Sequence, residues 1–202
     1  MNNMIRVSDY VVDFLYKNGI SHIFMVAGGG AMHLNDSVAL YKKMKHISHH
    51  HEQAAAMAAE AYSRITENFG VALVTTGPGG TNAITGLLGA WQDSIPCMFI
   101  SGQDKRRETI YNANIPGLRQ FGPQEANIVL VVQSITKYAV MINEPEKIRY
   151  YLEKALFIAK SERPGPVWLD IPLDVQGALV NHEHLVGFDP NDEKLSTIKK
   201  PS

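Results

Sequence analysis

The sequence predicts an α/β domain, a parallel sheet of about six strands with helices on both faces. Two observations carry the prediction. Short continuously apolar runs alternate with longer segments whose apolar residues recur at helical spacing, and strands that are apolar throughout belong to a sheet covered on both sides. Glycine clusters follow directly after two of the strand runs, where parallel sheets turn into helices and gather ligands.

Each element has a local reason. Ser8 is expected to cap a first helix whose face carries Val11, Val12 and Leu15, and Asn18-Gly19 supplies its stop. Strands are expected over 22–26, 45–48, 71–75 and 97–101, with helices over 52–66 and 81–91 between them. After a longer irregular segment, 135–141 reads as extended, and a helix opens at Asn143 with Pro145 in its first turn. That helix buries a stripe of Ile148, Tyr151, Leu152, Ala155, Leu156 and Ala159, and a last strand covers 167–171. From Ala178 the chain becomes polar with little periodicity, which divides it into a domain over 1–177 and a linker or tail over 178–202.

Composition removes several function classes. The 19 basic and 20 acidic residues nearly cancel, so no strong field points to nucleic acid or an anionic membrane. A single cysteine, Cys97, has no partner for an internal disulfide, which fits a reducing compartment and a cytoplasmic location. Residues 1–19 have no long apolar core behind a basic end and read as neither signal nor anchor.

Three strand ends are expected on one carboxyl edge: the turn around Gly28-Gly29-Gly30, His51-Glu52-Gln53, and Thr75-Thr76-Gly77-Pro78-Gly79-Gly80-Thr81-Asn82. The glycines let backbone approach a ligand, or simply make tight turns; neither loop has a dinucleotide or P-loop fingerprint. His46, His49, His50 and His51 do not converge on a strand, because His49 and His51 face one side and His50 the other, so no metal site is expected. Glu52 opens an alanine-rich helix, where a carboxylate is expected to be partly desolvated and able to share a proton with a ring nitrogen.

HEQAAAMAAEAYSR, VALVTTGPGGTNAITGLLGAWQDSIPCMFISGQ, QEANIVLVVQSITKYAVMI and RPGPVWLDIPLDVQ, in this order, closely resemble the N-terminal domain of the acetolactate synthase family over about residues 5–177. These are thiamine-diphosphate enzymes, and the resemblance implies a thiamine-diphosphate-binding fold whose pyrimidine domain this chain supplies. It implies that Glu52 hydrogen-bonds the cofactor's aminopyrimidine and relays the proton that activates the thiazolium carbon. A 2-keto acid, pyruvate in the type reaction, is then decarboxylated and its two-carbon unit joined to an acceptor carbonyl.

By the same resemblance Gly28, Gly29, Thr75, Pro78, Gly79 and Asn82 line the pyrimidine pocket. Gln103 and Gln124 match family glutamines that face the reacting centre as uncharged donors, Gln124 as a catalytic residue and Gln103 with Pro123 on the substrate side; a surface amide in a loop is the plain alternative, as strong for Gln103 and weaker for Gln124. Magnesium and the diphosphate belong to a C-terminal domain with a Gly-Asp-Gly motif that this sequence lacks, and FAD binding is left open. The site forms between subunits of a homodimer or tetramer, so the chain is expected to be a domain fragment or a split subunit, inactive alone.

Two departures from the family pattern bear on the acceptor. Val26-Ala27 replaces a Tyr-Pro pair before the glycines, and Pro123 replaces a phenylalanine. Two acceptor readings therefore stand: a second keto acid, as in acetolactate synthesis, or a keto-sugar, as in related enzymes of surface-polysaccharide synthesis. A non-catalytic binding module is the reading from another class, and Glu52 argues against it.

Overall fold

In the computed structural model, which describes residues 3–193, the chain runs from a short edge strand β1 (Met4–Arg6) into α1 (Val7–Lys17) and β2 (His22–Met25). A 3-10 turn, Gly29–Ala31, leads to α2 (Met32–Leu40), β3 (Lys45–Ser48), α3 (Glu52–Thr66) and β4 (Gly70–Val74). Next come α4 (Pro78–Asn82), α5 (Ile84–Gln92), β5 (Cys97–Gln103), α6 (Ile110–Ala113) and α7 (Ile128–Val132). The chain continues through β6 (Tyr138–Met141), α8 (Ile148–Lys160), β7 (Val167–Pro172), α9 (Leu173–Gln176) and β8 (Leu179–Asn181).

Six strands form one sheet in the order β3-β2-β4-β5-β7-β6, with every pairing parallel. Side chains alternate across it. Val71 and Leu73 of β4, Met98 and Ile100 of β5, and Val167, Leu169 and Ile171 of β7 pack on one face with α1, α2 and α8. Ala72, Val74, Phe99 and Trp168 pack on the other face with α3, α5 and α7, Phe99 and Trp168 stacking at 5.3 Å. Both faces are therefore apolar, which is why the strand runs show no polar alternation.

The alanines of α3 serve packing. Ala55, Ala56 and Ala59 are fully buried, and α5 crosses so closely that a Cβ on Gly86 would lie 2.6 Å from the Ala56 Cβ and 2.8 Å from backbone atoms. Gly86→Ala is therefore expected to destabilise the fold by roughly 1–3 kcal/mol, the usual cost of overpacking, seen as a lower urea midpoint. An unchanged midpoint would show that the helices can separate freely.

Several boundaries differ from the sequence reading. Ser8 does not cap α1: the helix starts at Val7 behind an extended Arg6, and Ser8 lies buried inside it with its Oγ unpaired. The start is set instead by tertiary structure, since Val7 N donates to Ala178 O at 2.9 Å. The helix expected from 81 begins three residues earlier, as α4 and α5 broken at Ala83, because Gly77 adopts φ +59° and lets Pro78 open a turn. Helix α8 opens at Ile148 after a 3-10 turn, Pro145–Lys147, rather than at Asn143.

The polar segment after Ala178 also begins with structure, because β8 pairs antiparallel with β1. The expected linker character of 194–202 lies outside the described residues. Among the described residues, no helix is long and apolar enough to cross a membrane.

Candidate active site

Because β3, β2, β4 and β5 are neighbours and parallel, the segments that follow them meet along one edge. Glu52 is the first residue of α3. His51, extended at φ −152°, caps that helix, its Nδ1 accepting from Gln53 N at 3.1 Å. The histidine thus orients the first turn that carries Glu52.

The Glu52 carboxylate is half-buried and reaches across to α4, where Asn82 Nδ2 donates to its Oε2 at 2.9 Å. Its other oxygen, Oε1, has no hydrogen-bond donor among the described residues and lies 3.4 Å from where a Cβ on Gly79 would sit. The dryness expected from the alanines is only partial. Ala54 and Met57 are exposed, so the alanine stripe packs α3 onto the sheet and α5 while Glu52 stands at its rim.

Thr75 joins the glycine turns. Its Oγ1 accepts from Gly30 N at 3.0 Å, and its methyl side fills the space that a Cβ on Gly28 or Gly79 would need. Asn35 Nδ2 holds Gly28 O at 3.0 Å, and the buried Gln176 Nε2 holds Gly30 O at 2.7 Å. Gly29 has open space where a side chain would go, and Pro78 is exposed at the start of α4. Gly28, Thr75, Gly79, Glu52 and Asn82 are thereby neighbours along one edge of the sheet, and Gly29 and Pro78 there are exposed.

The two glutamines separate. Gln103 is the last residue of β5 and 2% exposed, so it is no loop amide. Its Oε1 accepts from Thr76 Oγ1 at 2.7 Å and Asp104 N at 3.0 Å, while its Nε2 donates to Ala126 O and Asp170 Oδ2, both at 2.9 Å. Both amide protons are spent inside the protein, which makes Gln103 in this conformation a brace for the Thr76 turn. Gln124 is exposed, and its backbone carbonyl lies against Gly77, which places the residue beside the Thr75–Asn82 turn. Pro123 is exposed on the same rim.

The sequence reading missed Asp170, which sits under Gln103. It is 1% exposed, accepts from Ser101 Oγ at 2.6 Å as well as from Gln103, and Ser101 Oγ in turn accepts from Trp168 Nε1 at 2.8 Å. Burial pushes its carboxyl up to about 7, against the pull of the Ser101 and Gln103 hydrogen bonds. The available signal was an aspartate inside the otherwise apolar run VWLDIP. Among the described residues no group of three His, Cys, Asp or Glu could hold a metal ion, and His46 and His50 are exposed.

A doubly covered parallel sheet that presents one carboxylate among glycine turns at its carboxyl edge defines a ligand-binding α/β domain of the cofactor-handling class. The family model described as thiamine pyrophosphate enzyme, N-terminal TPP binding domain, matches residues 5–127, and the chain belongs to that family. It is 39% identical over 168 residues to the acetolactate synthase large subunit of Buchnera aphidicola subsp. Acyrthosiphon pisum, covering 83% of this chain and 28% of that protein. It is 38% identical over 173 residues to the chloroplastic acetolactate synthase 2 of Nicotiana tabacum, covering 86% and 25%. The large subunit of Haemophilus influenzae is 38% identical over 167 residues, covering 83% and 28%. The chain thus spans about a quarter of the length of these curated relatives.

Proposed function

We propose that the chain is the aminopyrimidine-binding part of a thiamine-diphosphate enzyme that decarboxylates a 2-keto acid, pyruvate first, and joins the two-carbon unit to an acceptor carbonyl. The observation that carries this reading is Glu52, with one carboxylate oxygen fixed by Asn82 and the other without a hydrogen-bond donor, beside the Gly79 turn that Thr75 packs against. That is the donor set and the cradle a flat nitrogen heterocycle needs, so the residues fit the cofactor. Gly28, Gly29, Thr75, Pro78, Gly79 and Asn82 would hold it.

When bound, thiamine diphosphate supplies the carbon nucleophile and electron sink that amino-acid side chains lack. Glu52 holds and exchanges a proton at Oε1, and Asn82, by donating to Oε2, keeps that proton on the free oxygen. The exposed Gln124 amide offers a neutral donor to an acceptor oxygen as charge develops on it. Magnesium and diphosphate contacts, and any FAD, fall to the remainder of a longer protein, cytoplasmic and assembled as a homodimer or tetramer.

A keto-sugar acceptor is the second reading. It is favoured by the open rim, where Ala27, Gly29 and Pro123 are exposed and nothing lies within 4 Å of a Cβ placed on Gly29. Assaying the full-length enzyme with pyruvate and a panel of keto acids, aldehydes and nucleotide-linked keto-sugars decides between them. Acetolactate as sole product would end the sugar reading, and no consumption of any 2-keto acid would end both.

A further inference from the structure

We propose that Glu125 is a positioning residue for the acceptor side of the site, its carboxylate clamping the excursion 110–122 so that Pro123 and Gln124 face the acceptor. This rests on the carboligase reading above. The excursion leaves β5 through Thr109, forms α6, reverses at Asn114 (φ +50°) and Gly117 (φ +76°), and returns to Gly122. Three of its large apolar side chains are exposed, Tyr111 at 64%, Ile115 at 56% and Phe121 at 53%, and Ile110 and Leu118 are only half-buried. Beside its outgoing end lies a cavity of about 280 Å³, which it lines only through Tyr111, the other walls including Thr109, Glu125, Val129, Gln103 and Asp170. Apolar packing therefore does little to seat this segment, and polar ties must do so.

Glu125 supplies the tie that spans it. One carboxylate oxygen accepts from Ile110 N, at the outgoing end. The other accepts from Phe121 N at 3.0 Å and Gly122 N at 3.4 Å, at the returning end. Two smaller ties continue to the next residues: Gln120 Nε2 donates to Gly122 O at 2.8 Å and Pro123 O at 3.0 Å, and Asp104 Oδ2 accepts from Gln124 N at 3.3 Å. The backbone that carries Pro123 and Gln124 is thus held from both sides, and the Gln124 carbonyl is laid against Gly77 of the cofactor-side turn.

The chemistry demands a carboxylate. Both oxygens face N–H donors from opposite ends of the excursion, so a glutamine, nearly the same shape, must point an N–H at an N–H on one side. Glu125→Gln therefore releases one end of the clamp while leaving the sheet and Glu52 untouched. Glu125→Asp keeps two acceptors on a shorter arm and is the conservative variant expected to recover part of the function.

The test has two readouts. In this chain, Glu125→Gln should speed amide hydrogen exchange at Ile110 or at Phe121 and Gly122 by about tenfold or more, with β4 and β5 unchanged. In the full-length enzyme, the same variant should raise the acceptor KM about tenfold, with Glu125→Asp between it and wild type, and change 2-keto acid decarboxylation without acceptor less than about twofold. Equal loss in both half-reactions, or an unchanged acceptor KM despite faster exchange, would overturn the positioning role. A wild-type full-length protein that decarboxylates no 2-keto acid refutes the carboligase reading, and the exchange measurement still decides whether Glu125 clamps the excursion.

Discussion

Glu52→Gln in the full-length enzyme is expected to abolish cofactor activation while the fold persists. The amide keeps the shape of the carboxyl and still offers Asn82 an acceptor oxygen, so the bridge between α3 and α4, 2.9 Å in the native chain, can re-form. What it lacks is a proton that can be given and taken back at the position of Oε1. General acid–base catalysis of this kind is worth about 10²–10⁴-fold, and that is the expected fall in proton exchange at the cofactor's reactive carbon, followed by NMR. Circular dichroism and thermal midpoint should match wild type, because Glu52 stands at the rim and contributes no core packing. Exchange within a few-fold of wild type would remove Glu52 from the proton relay. Loss of the fold would instead make the Glu52 charge itself structural, since the variant keeps the acceptor for Asn82.

How much of this was readable in advance follows from the range of the interactions. Strands β4, β5 and β7 announced themselves because they are buried on both faces, so their apolar runs are continuous and local. Glu52 and the turns at Gly28 and Gly77–Asn82 were readable for a similar reason, since strand ends on one edge bring their loops together whatever the details. Three-residue strands were not. β1 and β8 exist only through each other, Met4 pairing with Asn181, and neither carries a pattern of its own. Ser8 misled because a serine before an apolar stripe is a good cap by local rules, whereas here Ala178 O satisfies the helix start.

The brace under Gln103 was hidden for the same physical reason. Thr76, the pair Ser101 and Gln103, Ala126, and the pair Trp168 and Asp170 come from four separate segments, and no local pattern announces that they meet. Gln103 looked like a rim amide with protons to spare, and only its partners show that both are engaged. The consequence is a difference between the two glutamines: Gln103 fixes the Thr76 turn, and Gln124 is exposed beside it.

Asp170 gives that brace a pH signature. A carboxyl that titrates near 7 when folded, against 3.8 for an unperturbed aspartate, holds a proton in the native state that the unfolded chain has already released. Between those values the native state binds more protons than the unfolded one, so stability falls as pH rises from about 4 to about 7 and then levels off. A difference of about three pKa units corresponds to roughly 4 kcal/mol over the whole window, which is a large share of the stability of an ordinary domain. Asp170→Asn removes the titration and keeps both neighbours in contact: its Oδ1 accepts from Gln103 Nε2 and its amide donates to Ser101 Oγ, reversing that bond and taking from the Ser101 hydroxyl the acceptor it has in the native chain. Asp9 and Asp174, held below the usual carboxylate range with the help of Arg6 and Arg106, act in the opposite sense, their stabilisation being lost as pH falls. They are present in both proteins, so the difference between wild type and variant isolates Asp170. Urea midpoints measured from pH 4 to pH 8 should therefore diverge, the variant gaining on wild type as pH rises and holding that gain above 7. Parallel curves would mean that Asp170 is ionised in the folded state throughout, and that the Ser101 and Gln103 hydrogen bonds offset its burial in full.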